Sequence, residues 1–177
     1  MGWKTLEGVP VEDIYDAIRN DVESFNGTFF AYIGTDSQTI PSKGITVFVQ
    51  CVAIHKCDEN GIGKGGRVYY IKFPEKRYTS IQKKLLREAE IAIKLGQKME
   101  PLFDELDIEF EVHCDVNSYA GKNNENKSNS VHDSVKGWVE SMGWVCKTKP
   151  HAVIGSIVAD RMTKSKKRNR PFRKKGK

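Results

Sequence analysis

The stretch Thr28 to Gln38, TFFAYIGTDSQ, most constrains what this chain can fold into. It is a run of aromatic and aliphatic β-formers that ends on an acid. Strand alternation puts Phe30 and Tyr32 on one side and Phe29, Ala31 and Ile33 on the other. A strand apolar on both faces belongs inside a sheet that is covered above and below. Gly34 permits close approach to the backbone, and Asp36 is expected where the strand gives out. A carboxylate held there by a central strand is suited to a cation. The plainer reading is a turn cap made with Ser37.

The remaining chain reads as alternating elements. Val11 to Phe25 carries Ile14, Ala17, Ile18, Val22 and Phe25 at helical spacing. Gly44 to Lys56 and Arg67 to Phe73 are β runs, and the glycine-rich CDENGIGKGG between them is a hairpin loop. It lacks the GxxxxGK[ST] spacing of a phosphate cradle. Pro74 is expected to end the third strand. A long helix follows from about Thr79 to Met99, then the strand Ile108 to Asp115. That strand sets Ile108, Phe110, Val112 and Cys114 against Glu109, Glu111, His113 and Asp115. Ser118 to Ser130 is polar, Asn-rich and expected to move. A helix from about Val131 to Met142, a short strand GWVCK and a last helix from about Ala152 to Lys164 complete the body. A meander followed by alternating helices and strands predicts an α/β protein, a mixed sheet covered by helices.

Several acids stand where such a fold brings them together. If the strand ending at Asp115 runs parallel beside the first, Asp36 and Asp115 share one edge. Two carboxylates a strand spacing apart repel unless a cation lies between them. The long helix offers Glu88, flanked by Ala89, Ala92 and Ile93, and Glu90, flanked by Lys94 and Gln97. Glu88 is the one expected to face the sheet. Asp160 shares the stripe of Val153 and Ile157, and an acid on an apolar stripe needs a partner, either a metal or a base such as Arg161 or Lys164. Hard ions such as Mg²⁺ or Mn²⁺ take oxygen ligands. Two of them about 4 Å apart can activate water and stabilise the leaving oxygen of a phosphodiester.

Charge points to a polyanion. Lys164 to Lys177 holds nine of the 29 basic residues and no acid, leaving 20 basic against 23 acidic side chains elsewhere. Residues 1–163 read as one domain, and 164–177 as a basic tail that is disordered when free. Lys166, Lys167, Arg168, Arg170, Arg173, Lys174 and Lys175 are its candidate phosphate contacts. No apolar run approaches a membrane span, and the start lacks a signal-peptide pattern. Cys51, Cys57, Cys114 and Cys146 are scattered without a CxxC pair, as reduced thiols of a cytoplasmic protein would be.

The ordered set IGTDSQ, LLREAEIAI, VHCDVN and KPHAVIGSIVADR resembles the YkuK-type family of RNase-H-like proteins, within the superfamily of ribonuclease H and the RuvC-type resolvases. The resemblance covers roughly Thr28 to Thr163. It implies a five-stranded mixed sheet in the order 3-2-1-4-5 with helices on both faces, besides the N-terminal helix. It also implies a nuclease acting on DNA, RNA or a hybrid, with two Mg²⁺ or Mn²⁺ ions held by Asp36, Glu88 (or Glu90), Asp115 and Asp160. The aspartate in the last helix matches the RuvC-like branch, and junction resolution would favour a dimer with paired sites. Two other readings compete. One is a non-catalytic nucleic-acid-binding module on the same fold. The other is a zinc protein using Cys51, His55 and Cys57 with His113 or Cys146. His113 defaults to a surface residue, His132 and His151 to local caps, and Trp138 and Trp144 to core. Tyr119 is the better base-stacking candidate.

Overall fold

The computed structural model describes residues 2–117 and 131–152. The loop 118–130, the predicted last helix with Asp160, and the basic tail lie outside the described residues. The elements are β1 (Trp3–Thr5), β2 (Pro10–Val11), α1 (Ile14–Glu23), β3 (Thr28–Ile40), β4 (Ile45–Cys57), β5 (Gly63–Lys76), α2 (Ile81–Glu105), β6 (Glu109–Asn117), α3 (His132–Glu140) and β7 (Val145–Lys149).

The sheet has seven strands in the order β2-β1-β5-β4-β3-β6-β7, not the expected five. The two additional strands come from the N-terminus, where β1 and β2 form an antiparallel pair and β1 adds to the edge of β5. A two-residue strand carries too short a pattern to be legible. Val11 consequently belongs to β2, and α1 starts at Ile14 after the cap Asp13, whose Oδ1 accepts from Tyr15 N at 2.7 Å. The antiparallel meander β3-β4-β5 and the parallel pairs β3-β6 and β6-β7 make the sheet mixed.

Three boundaries differ from expectation for identifiable reasons. β3 does not stop at Asp36 but pairs with β4 through Ile40, turning only at Pro41–Lys43, with Gly44 at φ +63°. β5 runs past Pro74 to Lys76, with Pro74 opposite Val47. The helix α2 continues through Pro101 to Glu105, because its buried stripe extends to Leu102 and Phe103. The hairpin loop is shorter than CDENGIGKGG. Asp58 closes it by accepting from Asn60 N and Ile62 N, and Gly63 already belongs to β5.

All three described helices share one core cluster. Ile14 and Ile18 of α1, Leu85, Ala89 and Ala92 of α2, and Val135 and Val139 of α3 pack with Ala31, Ile33, Val52 and Val112 of the sheet. Helices on both faces were expected, so among the described residues the helical cover is one-sided. The second face carries its own cluster of Val49, Cys51 and Tyr70, with Leu6 and Val68 against it. Trp144 is core as expected, tilted against Phe110 with ring centroids 5.4 Å apart and donating to Glu100 Oε1 at 2.7 Å, whereas Trp138 is an exposed residue of α3. Among the described residues no helix is long and apolar enough to cross a membrane.

Gly96 sits where α2 crosses the Trp144 indole. A Cβ there would come within 2.7 Å of the ring. Gly96→Ala should therefore lower stability by about 1–3 kcal/mol through overpacking, outweighing the roughly 1 kcal/mol that alanine gains in a helix. Urea unfolding checks this, and a more stable variant would contradict it.

Candidate metal centre

The β3–β6 register places the two strand acids side by side. The parallel ladder pairs Gly34 with His113 and Thr35 with Cys114, and ends there. Asp36 and Asp115 are each the next residue. Both follow the alternation of the second sheet face, since Thr35, Ser37 and Cys114 belong to the helix-covered one. Adjacent strands lie about 4.8 Å apart, so two carboxylates stand together at the carboxyl end of the parallel pair.

Glu88 reaches the same end from the helix face. It is 4% exposed, and its Oε1 accepts from Ser37 Oγ at 2.6 Å. Lys84, one turn earlier on α2, lies 3.6 Å from the same oxygen and donates to Ser37 O at 3.4 Å. Burial pushes the Glu88 carboxyl up to about 8. Lys84 and the Ser37 bond oppose that rise, and the charges of Asp36 and Asp115 add to it. The charges of both strand acids are thus felt at Glu88. Glu90, the alternative helix acid, instead pairs with Arg87 at 2.8 Å and Lys94 at 2.6 Å, which hold its carboxyl below the usual range. It is a solvated face residue.

Each strand acid has its own local partner. Asp36 Oδ1 accepts from Ser37 N at 2.7 Å. Asp115 Oδ1 lies 2.5 Å from Lys149 Nζ, with the distance of an ion pair but not the direction of a hydrogen bond. That contact depends on an irregularity between β6 and β7: the register shifts after Cys114, so that Lys149 pairs with Asn117. A cavity of about 10 Å³ lies among Thr35, Glu88, Cys114 and Asp115, and Thr35 Oγ1 is buried there without a hydrogen-bond partner.

These donors fit a hard divalent cation in kind: carboxylate and hydroxyl oxygens, one buried and unsatisfied, in an environment that makes carboxylate charge costly without a counter-ion. In arrangement they are more open. Among the described residues no three His, Cys, Asp or Glu side chains gather closely enough to hold a metal ion. Asp160, the fourth expected acid, lies outside the described residues, as do Lys166, Lys167, Arg168, Arg170, Arg173, Lys174 and Lys175 of the tail and Tyr119 of the loop.

Sequence reasoning missed several neighbours of this site. Ser37 alternates with Thr35 around Asp36 and is the residue that fixes Glu88. Lys84 stands four residues before Glu88, a helical spacing that was legible. Lys149 reaches Asp115 only through the strand irregularity, which leaves no signal. His113 is not a surface residue. It is 4% exposed, its ring lies 5.1 Å from that of Tyr32, and its Nε2 is 3.4 Å from Glu111 Oε2. Burial lowers its basicity against the pull of Glu111. His132 does not cap α3: its ring contacts Asp133 and Thr148, and the cap residue is Val131.

The zinc ligand set is dispersed. Cys51 Sγ donates to Gly34 O at 3.4 Å, and burial pushes its thiol up to about 12. His55 and Cys57 are 3.9 Å apart. Cys146 hydrogen-bonds Cys114, which faces the helix-side core, away from Cys51.

The chain matches the family model described as Ribonuclease H-like over residues 11–164, and it belongs to that family. No curated protein and no solved structure matches it.

The Glu88 carboxyl makes stability pH-dependent. The folded protein holds its proton up to about pH 8, whereas the unfolded chain releases it near 4.5. Across that window the folded state binds more protons, so this group lowers stability as pH rises, by up to about 1.4 kcal/mol per pH unit, and the loss levels off above pH 8. Glu88→Gln, neutral throughout, should gain stability relative to the wild type between pH 5 and pH 8 in denaturant unfolding. A constant difference between the two proteins across that range would contradict the assignment.

Proposed function

We propose that this protein is a divalent-metal-dependent nuclease that hydrolyses phosphodiester bonds of DNA, RNA or a hybrid. The observation that carries the reading is that Asp36 and Asp115 each follow the last pair of the β3–β6 ladder, with the buried Glu88 feeling the charge of both, in a chain of the Ribonuclease H-like family. Fold membership alone does not confer the activity, but carboxylates are the kind of oxygen ligand that such chemistry requires.

Asp36, Asp115 and Glu88 would hold the cations, Mg²⁺ or Mn²⁺, with Asp160 as a further ligand. Two bound ions would supply an activated water and charge neutralisation at the leaving oxygen. The chain's own groups have narrower tasks. Ser37 orients Glu88 through its 2.6 Å hydrogen bond. Lys84 and Lys149 offset the negative charge until a cation or a phosphate displaces or joins them. The tail residues Lys166, Lys167, Arg168, Arg170, Arg173, Lys174 and Lys175 would add sequence-independent affinity through phosphate contacts, which makes binding salt-dependent.

One observation is compatible with a second reading. The Lys149 ammonium already stands 2.5 Å from Asp115, a position of counter-charge that would serve a non-catalytic nucleic-acid-binding module equally well. The two readings separate on cleavage. Wild type and Asp36→Asn are incubated with Mg²⁺ or Mn²⁺ and a panel of RNA–DNA hybrid, single strands, duplex and four-way junction. The nuclease reading expects wild-type cleavage of at least one substrate, abolished by EDTA and reduced at least about 100-fold in Asp36→Asn. Undiminished binding by both proteins with no cleavage would select the binding module.

A further inference from the structure

The second sheet face holds a groove of about 640 Å³ that the proposed chemistry does not use. Its floor is Tyr32 of β3, with His55 of β4 and His113 of β6 on either side. Ring centroids lie 6.5 Å from Tyr32 to His55 and 5.1 Å from Tyr32 to His113, and Phe30 backs Tyr32 at 5.1 Å. Val68 of β5 closes one wall, and Glu111 and Lys147 stand on the other. Glu111 is mostly buried, lies 3.4 Å from His113 Nε2 and 3.6 Å from Lys147 Nζ, and Lys147 is half exposed at the rim.

This is an unusual surface for a sheet that needs only to be covered. A packing face would carry aliphatic side chains; this one presents three rings with hydrogen-bonding edges, a carboxylate acceptor and a rim ammonium. Its volume falls in the range of sites for small planar ligands. Burial and the nearby Glu111 charge both raise the Tyr32 phenol above its ordinary value, so it stays a neutral donor. The face is also that of Asp36 and Asp115. Four residues along β3 separate Tyr32 from Asp36, about 13 Å at strand rise, so one extended polyanion can lie across both.

We infer that this groove takes an unpaired base of a single-stranded nucleic acid, stacked against Tyr32, with its polar edge toward Glu111 and its phosphate toward Lys147. The inference rests on the nucleic-acid reading above and adds where the strand is gripped. A duplex base, stacked and paired, cannot enter such a groove; a splayed base can, because every base offers a π-face to an aromatic platform. Sequence preference should be weak for the same reason.

The test uses the full chain in EDTA, so that nothing is cleaved, and a short fluorescent deoxythymidine strand. Removing one stacked base costs about 1–3 kcal/mol, which is about a 5- to 150-fold loss of affinity. Tyr32→Ala is expected to bind that much more weakly in fluorescence anisotropy, while Tyr32→Phe stays within about threefold of wild type. Should Tyr32→Ala fail to fold, wild type answers by NMR: the strand must shift the ring resonances of His55 and His113 more than those of His132. Equal affinity of a folded Tyr32→Ala, or no shift at His55 and His113 when the strand binds, overturns the groove assignment and leaves the nucleic-acid reading standing. Failure of wild type to bind this strand also overturns the groove assignment, and failure to bind hybrid and duplex as well overturns the nucleic-acid reading.

Discussion

The parallel ladder between β3 and β6 is the constraint on which the rest depends. It pairs Phe30 with Glu109 through Thr35 with Cys114, and its end leaves Asp36 and Asp115 as neighbours. The thirteen-residue antiparallel ladder on the other side of β3 holds that strand inside the sheet. Without these two ladders the acids would be ordinary surface carboxylates. With them, two like charges are fixed at one edge and a third is brought up from behind. The same rigidity sets the second face, where His55, opposite Phe30, and His113, opposite Gly34, stand diagonally on either side of Tyr32.

Helix α2 supplies the other half of the arrangement. Its buried stripe from Leu85 to Phe103 anchors it across the sheet, with Gly96 allowing close approach to Trp144. That anchoring is what buries Glu88. A buried carboxyl that rises to about 8 is an energetic burden on the fold, relieved partly by Ser37 and Lys84. Structural economy would replace it with an apolar residue. Its hydrogen bond to Ser37 and its coulombic coupling to Asp36 and Asp115 are the features on which the proposed cation site rests. Lys84 and Lys149 then read as stand-ins for positive charge.

Much of this was legible in the sequence. Two-sided apolarity located β3 inside the sheet, the clean alternation of β6 assigned its two faces, and the environment of Glu88 against Glu90 predicted which acid turns inward. Three kinds of information were not legible. Strand ends depend on pairing rather than propensity, so β3 outruns Asp36 and β5 outruns Pro74. The β1–β2 pair is too short to show a period. Finally, His113 looked like a surface residue because alternation reports a face, not what stands beside it; its burial follows from Tyr32 and Glu111 on adjacent positions. Trp138 is the converse case, an aromatic at helical spacing that the fold leaves exposed. The family match over residues 11–164 agrees with the RNase-H-like reading that the ordered motifs suggest.

The most direct measurement is Mn²⁺ binding, by electron paramagnetic resonance, to wild type, Asp115→Asn and Glu90→Gln at pH 8.5 and pH 6. Binding is expected at pH 8.5 and should weaken at pH 6, where the Glu88 carboxyl must first release its proton. Binding should be lost in Asp115→Asn and unchanged in Glu90→Gln. Binding that ignores Asp115→Asn, or no binding by wild type at either pH, would contradict the claim that these carboxylates form a cation site.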